Sequence, residues 1–518
     1  MTDNLETKLL ANEHWWSGNI AEGHLMPHKK GYQINQSGNN LGNQSVPFLI
    51  STKGRYIWSE SPLEIHFTED FIHVQSKNKD ITFHESSSNI REAYEVASAT
   101  HFKPTGEIPE EMMFTLPQYN TWIELTYNQT EENILTYAQS IIDQGYPPGV
   151  LMIDDNWQED YGVWEFSGTR FKNPKSMIKK LHDLGFKVML WVCPFVSPDS
   201  FIYRDLAKRG LLIMDESLEE KVLWANTSNF PSIVRWWNGA SGVIDLSNPE
   251  GLAWFHNALK KLQEEYKVDG FKFDAGDARF YRDPNMISHN TETSSNDHME
   301  LFASLGREYK LNELRASWKL AGEPIAQRLR DKKHNWEDLQ LLIPHMITMS
   351  NMGYAYTCPD MIGGGEYQSF KNIEDVDQEL IVRSAQASAL MPMMQFSVAP
   401  WRVLNDENAS ICLEMAKLHT EFGIQILDLA KSASETGLPI LRSMEFNFPG
   451  KGYENILDQF MIGENLIVAP VLQKGAISRV VQIPEGTWKD IHGQSFVGPQ
   501  SIKESVSLGD LPHFTRVA

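Results

Sequence analysis

Residues 149–194 read GVLMIDDNWQEDYGVWEFSGTRFKNPKSMIKKLHDLGFKVMLWVCP. Two short apolar runs flank an amphipathic stretch that opens on Asn173-Pro174. Asn caps a helix by accepting from a free backbone N–H, and Pro suits the first helical turn because that N–H needs no partner. A continuous apolar run of this length fits a strand covered on both faces. The stretch therefore predicts strand, helix and strand, with the two strands parallel because the helix carries the chain back.

The alternation extends in both directions. Apolar runs ending in polar residues occur at TWIELTY (121–127), GVLMIDDN (149–156), KVMLWVCP (187–194), GFKFDAGD (270–277), ASWKLAGE (316–323), a weak segment at Arg328–Asp331, AYTCPDMIGGG (355–365) and LMPMMQFS (390–397). Between them lie helical stretches such as NPEGLAWFHNALKKLQEEY (248–266), again opened by Asn-Pro. Eight such runs predict a (β/α)₈ TIM barrel. A doubly wound sheet would also alternate, but no GxGxxG follows an early strand.

Residues 1–117 lack helical periodicity. Their alternating runs, such as LEIHFTEDFIHVQS (63–76), are separated by turn residues and predict an N-terminal β-sandwich domain. The barrel is expected over 118–434, ending in a helical region at Leu413–Ala433. FMIGENLIVAPVL (460–472) and SRVVQIPEGTWKDI (478–491) then predict a small C-terminal β domain over 435–518. A chain of 518 residues suits two or three domains.

Composition excludes several partners. Lys and Arg number 46 against 68 Asp and Glu, a formal charge of −22, which argues against nucleic acid and anionic membranes. No apolar stretch approaches the roughly 20 residues that span a bilayer. The N-terminus has no basic region followed by an apolar one, so no secretory signal is read. The three cysteines, Cys193, Cys358 and Cys412, have no metal or disulfide spacing. A cytoplasmic location is expected, with no metal and no cofactor. A homo-oligomer is left open.

Chemistry in such a barrel sits at the C-terminal strand ends. Those ends carry Asp154, Asp155, Asp274, Asp277, Glu323, Asp331 and Asp360. A single Asp there is most often a cap or turn residue. Carboxylates converging from five strands are costly unless function retains them. Without His or Cys partners they point away from zinc, and no GxSxG elbow is present. Two carboxylates flanking one bond suit glycoside hydrolysis, one attacking and one donating a proton. On the carboxylates alone, a magnesium-dependent lyase or phosphohydrolase is also compatible.

Several segments then carry a resemblance: IDDNW, GFKVMLWVCPFV, VRWWNG, GFKFDAGD, LIPHMITMSNMGY and CPDMIGGG, spread over residues 149–365. The chain resembles family 31 glycoside hydrolases and, within them, the branch of the myogenesis-regulating glycosidase and α-galactosidase-like enzymes. The resemblance implies a retaining, exo-acting α-glycosidase that removes a terminal hexose. By position it makes Asp274 the nucleophile and Asp331 the general acid/base. The usual Trp-x-Gly-Asp context is missing at Asp331, which leaves Asp338 as the alternative. It also implies sugar contacts at Asp154, Asp155 and Asp360, and at Trp191, Arg235, Trp236 and Trp237, although the tryptophans suit barrel packing equally well. Two departures bear on the sugar. Glucosidases of the family usually carry Trp two residues before the nucleophile, where this chain has Lys272. They also end the eighth strand in Arg-x-His, where this chain has Gln395 and Ser397. Lys272 and Asp274 share a strand face, so the ammonium is expected beside the carboxylate. Both departures favour an α-galactoside over an α-glucoside; a sugar-binding protein without catalysis is the alternative of another class. The loop 277–296 is expected to cap the subsite that receives the leaving group.

Overall fold

The computed structural model describes residues 3–218 and 230–517. Its centre is a barrel of eight short parallel strands: β1 (Gln118–Asn120), β2 (Val150–Ile153), β3 (Lys187–Val192), β4 (Gly270–Phe273), β5 (Leu311–Leu314), β6 (Gln327–Arg328), β7 (Thr357–Cys358) and β8 (Gln395–Phe396). Neighbours follow chain order from β1 to β7, and β8 returns to pair with β1 at Gln395↔Gln118. A single parallel bridge, Ile362↔Phe396, joins the segment after β7 to β8. The barrel expected from the apolar runs is thus borne out.

The helix signals also hold. Asn173 accepts from the Ser176 N–H at 3.1 Å and caps Pro174–Asp183. Asn248 accepts from the Glu250 N–H at 3.0 Å and caps Pro249–Tyr266.

Two strands lie elsewhere than expected. TWIELTY is not a strand: β1 precedes it, and Trp122–Leu125 is a short helix. ASWKLAGE is not the fifth strand either, since β5 is the preceding LNEL. The apolar side chains of ASWKLAGE pack elsewhere, Ala316 and Trp318 being buried with Ala278 and Met299, and its backbone pairs with the N-terminal region. Ser45 of the N-terminal region donates its N–H to the Ser317 carbonyl at 2.8 Å and accepts from the Lys319 N–H at 2.9 Å. Trp318 is buried beside that junction. Tertiary pairing across domains here outweighed the local pattern.

At the N-terminus, two four-stranded antiparallel sheets face one another around Trp15, Leu49, Ile57, Ile65, Phe67 and Val74, the expected sandwich. A helix at Ile90–His101 corrects the expectation that residues 1–117 are all β. Its signals are present: Asn89 accepts from the Glu92 N–H, and Ile90, Ala93, Tyr94 and Ala97 recur at helical spacing and are buried. A 31-residue helix, Asp406–Thr436, leads to a six-stranded antiparallel sheet whose core includes Met461, Ile467, Trp488 and Phe514. All three cysteines are buried and unpaired. Among the described residues no helix is long and apolar enough to cross a membrane.

Candidate active site

A cavity of about 720 Å³ opens at the C-terminal ends of the barrel strands. Asp154, Asp155, Lys272, Asp274 and Asp331 line it, together with Trp191 and Trp237. Strand pairing explains why. Trp191 lies opposite Lys272 in the β3–β4 ladder, so both face inward, and Asp274 follows one step beyond the end of β4. Asp154 likewise follows β2 directly.

Asp274 is held on three sides. The Arg315 Nε donates to its Oδ1 at 2.7 Å, the Trp191 indole Nε1 donates to its Oδ2 at 3.0 Å, and the Ala275 N–H donates to Oδ1 at 2.8 Å. That last contact accompanies a left-handed backbone at Ala275 (φ 61°), a conformation that is costly for a residue with a Cβ and that recurs at functional sites. Burial alone would raise the Asp274 carboxyl, but Arg315, then Lys272 and Arg328, outweigh it and hold it well below the usual carboxylate range. Asp274 is therefore an ionised, oriented carboxylate.

Lys272 does sit in the cavity, but its direct partner is Asp154, at 2.7 Å. Asn120 at the end of β1 donates to the same Asp154 oxygen at 2.8 Å. Burial would lower the Lys272 ammonium, and Asp154 reverses this, keeping it charged. Asp155 accepts from the Tyr161 hydroxyl at 3.0 Å and from Gln158 at 3.0 Å. Burial pushes its carboxyl up to about 6, with Asp154 adding to the rise against the Gln158 hydrogen bond.

Asp331 differs from Asp274. Its side chain is 51% exposed, against 12% for Asp274, and one cation holds it: Arg328 Nη1 at 3.0 Å. Gly365 closes over it, and a Cβ at that glycine would stand 2.3 Å from Asp331 Oδ2. The alternative, Asp338, lies in the first turn of the helix Trp336–Asn351 and accepts from the Lys333 N–H at 2.7 Å. It does not line the cavity.

Of the other expected site residues, Trp237 lines the cavity and the rest lie outside its lining. Asp360 is buried behind it, 2.8 Å from Arg328 Nη1, and accepts from the Lys332 N–H at 2.5 Å. Burial raises its carboxyl and Arg328 opposes this. Trp236 is buried, stacked parallel to Trp191 at 6.4 Å, so it supports a lining residue. Arg235 alternates with it on the strand Ile233–Trp236 and points outward to solvent. Trp237 is 49% exposed, with the Arg315 guanidinium 5.8 Å from its ring. Glu323 pairs with Arg307 at 3.2 Å, away from the cavity, while Asp277 pairs with Arg315 at 2.6 Å. Gln395 and Ser397 are turned into the barrel interior, where Gln395 donates to Glu313 at 2.6 Å and Ser397 accepts from the Ile123 N–H at 3.1 Å.

Three residues central to this arrangement escaped the sequence reading: Arg315, Arg328 and Glu313. Arg328 spans Glu313, Asp331 and Asp360, at 3.0, 3.0 and 2.8 Å. Reading ASWKLAGE as β5 hid both Glu313, within the true strand, and Arg315, at its C-terminal end.

Residues 112–419 match the glycosyl hydrolases family 31 TIM-barrel domain, and residues 437–517 the glycosyl hydrolase family 31 C-terminal domain. The chain belongs to glycosyl hydrolase family 31. Its sequence is 32% identical over 445 residues to the myogenesis-regulating glycosidase of Mus musculus, covering 82% of this chain and 58% of that protein. It is 24% identical over 410 residues to alpha-glucosidase 2 of Bacillus thermoamyloliquefaciens, covering 75% of this chain and 51% of that protein. The chain thus spans little more than half the length of these two relatives. A family 31 dextranase of Flavobacterium johnsoniae, solved with glucose, superposes with a TM-score of 0.87 at 20% identity, covering 99% of this chain and 66% of that one. The resemblance to family 31 and to the myogenesis-regulating branch is borne out.

Proposed function

We propose that this family 31 member is a retaining, exo-acting α-glycosidase that releases a terminal α-linked hexose, with Asp274 as nucleophile and Asp331 as acid/base. The observation that carries this reading is the contrast of two carboxylates on one cavity. Asp274 is held ionised and aimed by Arg315 and Trp191, whereas Asp331 is open to solvent and loosely held.

In the first step Asp274 attacks the anomeric carbon while Asp331 gives its proton to the glycosidic oxygen, and the leaving alcohol departs. A covalent glycosyl ester on Asp274 results. Asp331, now ionised, takes a proton from water, which attacks the same carbon and releases the sugar with its starting configuration. Lys272 and Asp154 form a polar pair of the kind that can donate to and accept from sugar hydroxyls, and Trp191 and Trp237 offer ring faces.

The preferred glycone in this reading is α-galactose, supported by Lys272 standing where related glucosidases carry Trp, and by Gln395 being committed to Glu313. The relatives include proteins named alpha-glucosidase and alpha-xylosidase, which makes the α-glucoside the reading to test against. Hydrolysis of p-nitrophenyl α-galactoside beside the α-glucoside, with Asp274→Ala as control, decides. Faster turnover of the galactoside, abolished in the variant, is expected. A glucoside preference would keep the mechanism and replace the sugar. Binding without turnover of either would replace the enzyme by a sugar-binding protein.

A further inference from the structure

The cavity that holds Asp274 has a second charge pattern at its mouth. Its inner cations are neutralised: Lys272 by Asp154, and Arg315 by Asp274 and Asp277. Three further arginines line the same cavity, Arg279 and Arg282 from the loop after β4 and Arg330 from the loop after β6. All three are exposed, and among the described residues none has a carboxylate within salt-bridge distance. In a chain carrying −22, three cations gathered at one opening without salt-bridge partners are a local concentration of positive charge.

Their placement is built rather than incidental. One N-terminal loop supplies backbone carbonyls that hold the cationic side chains: Gly38 O accepts from Arg282 Nε, Leu41 O from Arg330 Nη1 at 2.8 Å, and Gly42 O from Arg315 Nη1 at 2.7 Å. That loop is itself tied to the barrel, because Asn296 accepts from the Gly38 N–H at 2.7 Å and Asn43 accepts from the Arg330 N–H. A carbonyl orients a guanidinium without neutralising it, which leaves the remaining N–H groups free for an incoming anion. The third, Arg279, lies with its guanidinium 4.8 Å from the Phe280 ring centroid. Another part of the lining is aromatic: Trp122, Tyr127 and Tyr367 pack edge to face there, and Trp122 Nε1 donates to Gly365 O at 2.9 Å. Glu366, Asp331 and Asp155 also line the cavity on that side.

We infer that the leaving-group end of the substrate carries an anionic oxygen substituent (a carboxylate, sulfate or phosphate) received by Arg279, Arg282 and Arg330. The inference rests on the glycosidase reading above for the direction of binding, since the glycone occupies the depth of the cavity beside Asp274 and the leaving group its mouth. The three guanidiniums recognise the charge, and the aromatic rim leaves room for the sugar ring that bears it.

The test uses matched disaccharides with α-galactose or α-glucose at the non-reducing end and glucose, glucuronate or glucose 6-sulfate at the other. Binding is measured by calorimetry on Asp274→Ala, and hydrolysis on the unaltered chain. The anionic ends are expected to bind about tenfold or more tightly than the neutral one. That advantage should shrink in 0.5 M NaCl, because exposed charges are screened beyond roughly 10 Å already at 0.1 M salt. In Arg279→Gln/Arg282→Gln/Arg330→Gln the ratio of anionic to neutral should fall towards one, whatever happens to the absolute values. The ratio between the uronate and the sulfate identifies which anion fits. Equal binding of anionic and neutral ends at any strength, or an advantage that survives the triple substitution, overturns the inference. Hydrolysis without anion preference would leave the glycosidase standing and remove this inference; anion preference in binding without hydrolysis would do the reverse.

Discussion

The surroundings of Asp274 and of Asp331 are built on opposite principles. Around Asp274 the chain spends a guanidinium, an indole and a left-handed residue on fixing one carboxylate, and keeps it ionised against its own burial. Around Asp331 it leaves half the side chain in water, held by one nitrogen of Arg328 and bounded by a residue without a side chain. A group that must attack benefits from being immobile and charged in every encounter. A group that must give a proton and then take one benefits from exchange with solvent and from a hold that both protonation states tolerate.

That contrast can be broken at several points. Short of the abolished turnover expected in Asp274→Ala, the largest effect is expected for Asp331→Ala. It should cost about 10³-fold in kcat on substrates with poor leaving groups, within the span of general acid catalysis. On a dinitrophenyl glycoside, which leaves without a proton, the first step should be nearly spared and azide should accelerate the second. Equal losses on both substrates would remove Asp331 from the acid role and return attention to Asp338. Next comes Arg315→Gln, with about a 10²-fold fall in kcat, the scale for removing one electrostatic contact to a reacting group. Because Arg315 lowers the Asp274 carboxyl, and the proposed mechanism needs its ionised form, the acid limb of kcat/KM should move to higher pH in this variant. An unmoved limb would mean that Lys272 and Arg328 suffice.

Smaller effects sharpen the comparison. Gly365→Ala places a methyl 2.3 Å from Asp331 Oδ2, so either the loop or the carboxylate must shift. About a 10-fold loss is expected on poor leaving groups, with little on activated ones, since a displaced acid matters only where a proton is needed. Trp237→Ala should raise KM by a few-fold, about 1 kcal/mol for an aromatic contact, with kcat close to normal. A fall in kcat instead would mean that Trp237 acts through Arg315, whose guanidinium lies 5.8 Å from its ring.

What the sequence alone determined was largely local and periodic. The apolar runs at 149–156 and 187–194 and the Asn-Pro caps at 173 and 248 state the barrel, because strand and helix periods and capping are read within a few residues. Asp274 was legible for the same reason, as the polar residue ending an apolar run, and so were the positions of Asp154, Lys272 and Asp331. The pairing of these groups was decided by tertiary structure. Lys272 faces Asp154 more closely than Asp274 because the ammonium reaches across to β2, and Asp274 is claimed by Arg315, which lies 41 residues away at the end of β5. β5 itself was misplaced by sequence reading, since ASWKLAGE buries Ala316 and Trp318 against Ala278 and Met299 and pairs its backbone with Ser45 of the N-terminal region. Arg235 and Trp236 show the same limit within one strand: adjacent in sequence, they point to opposite faces, and only the packing of Trp236 on Trp191 tells which face is inside. Period and capping are properties of neighbours along the chain, whereas ion pairing and burial depend on distances that folding alone creates.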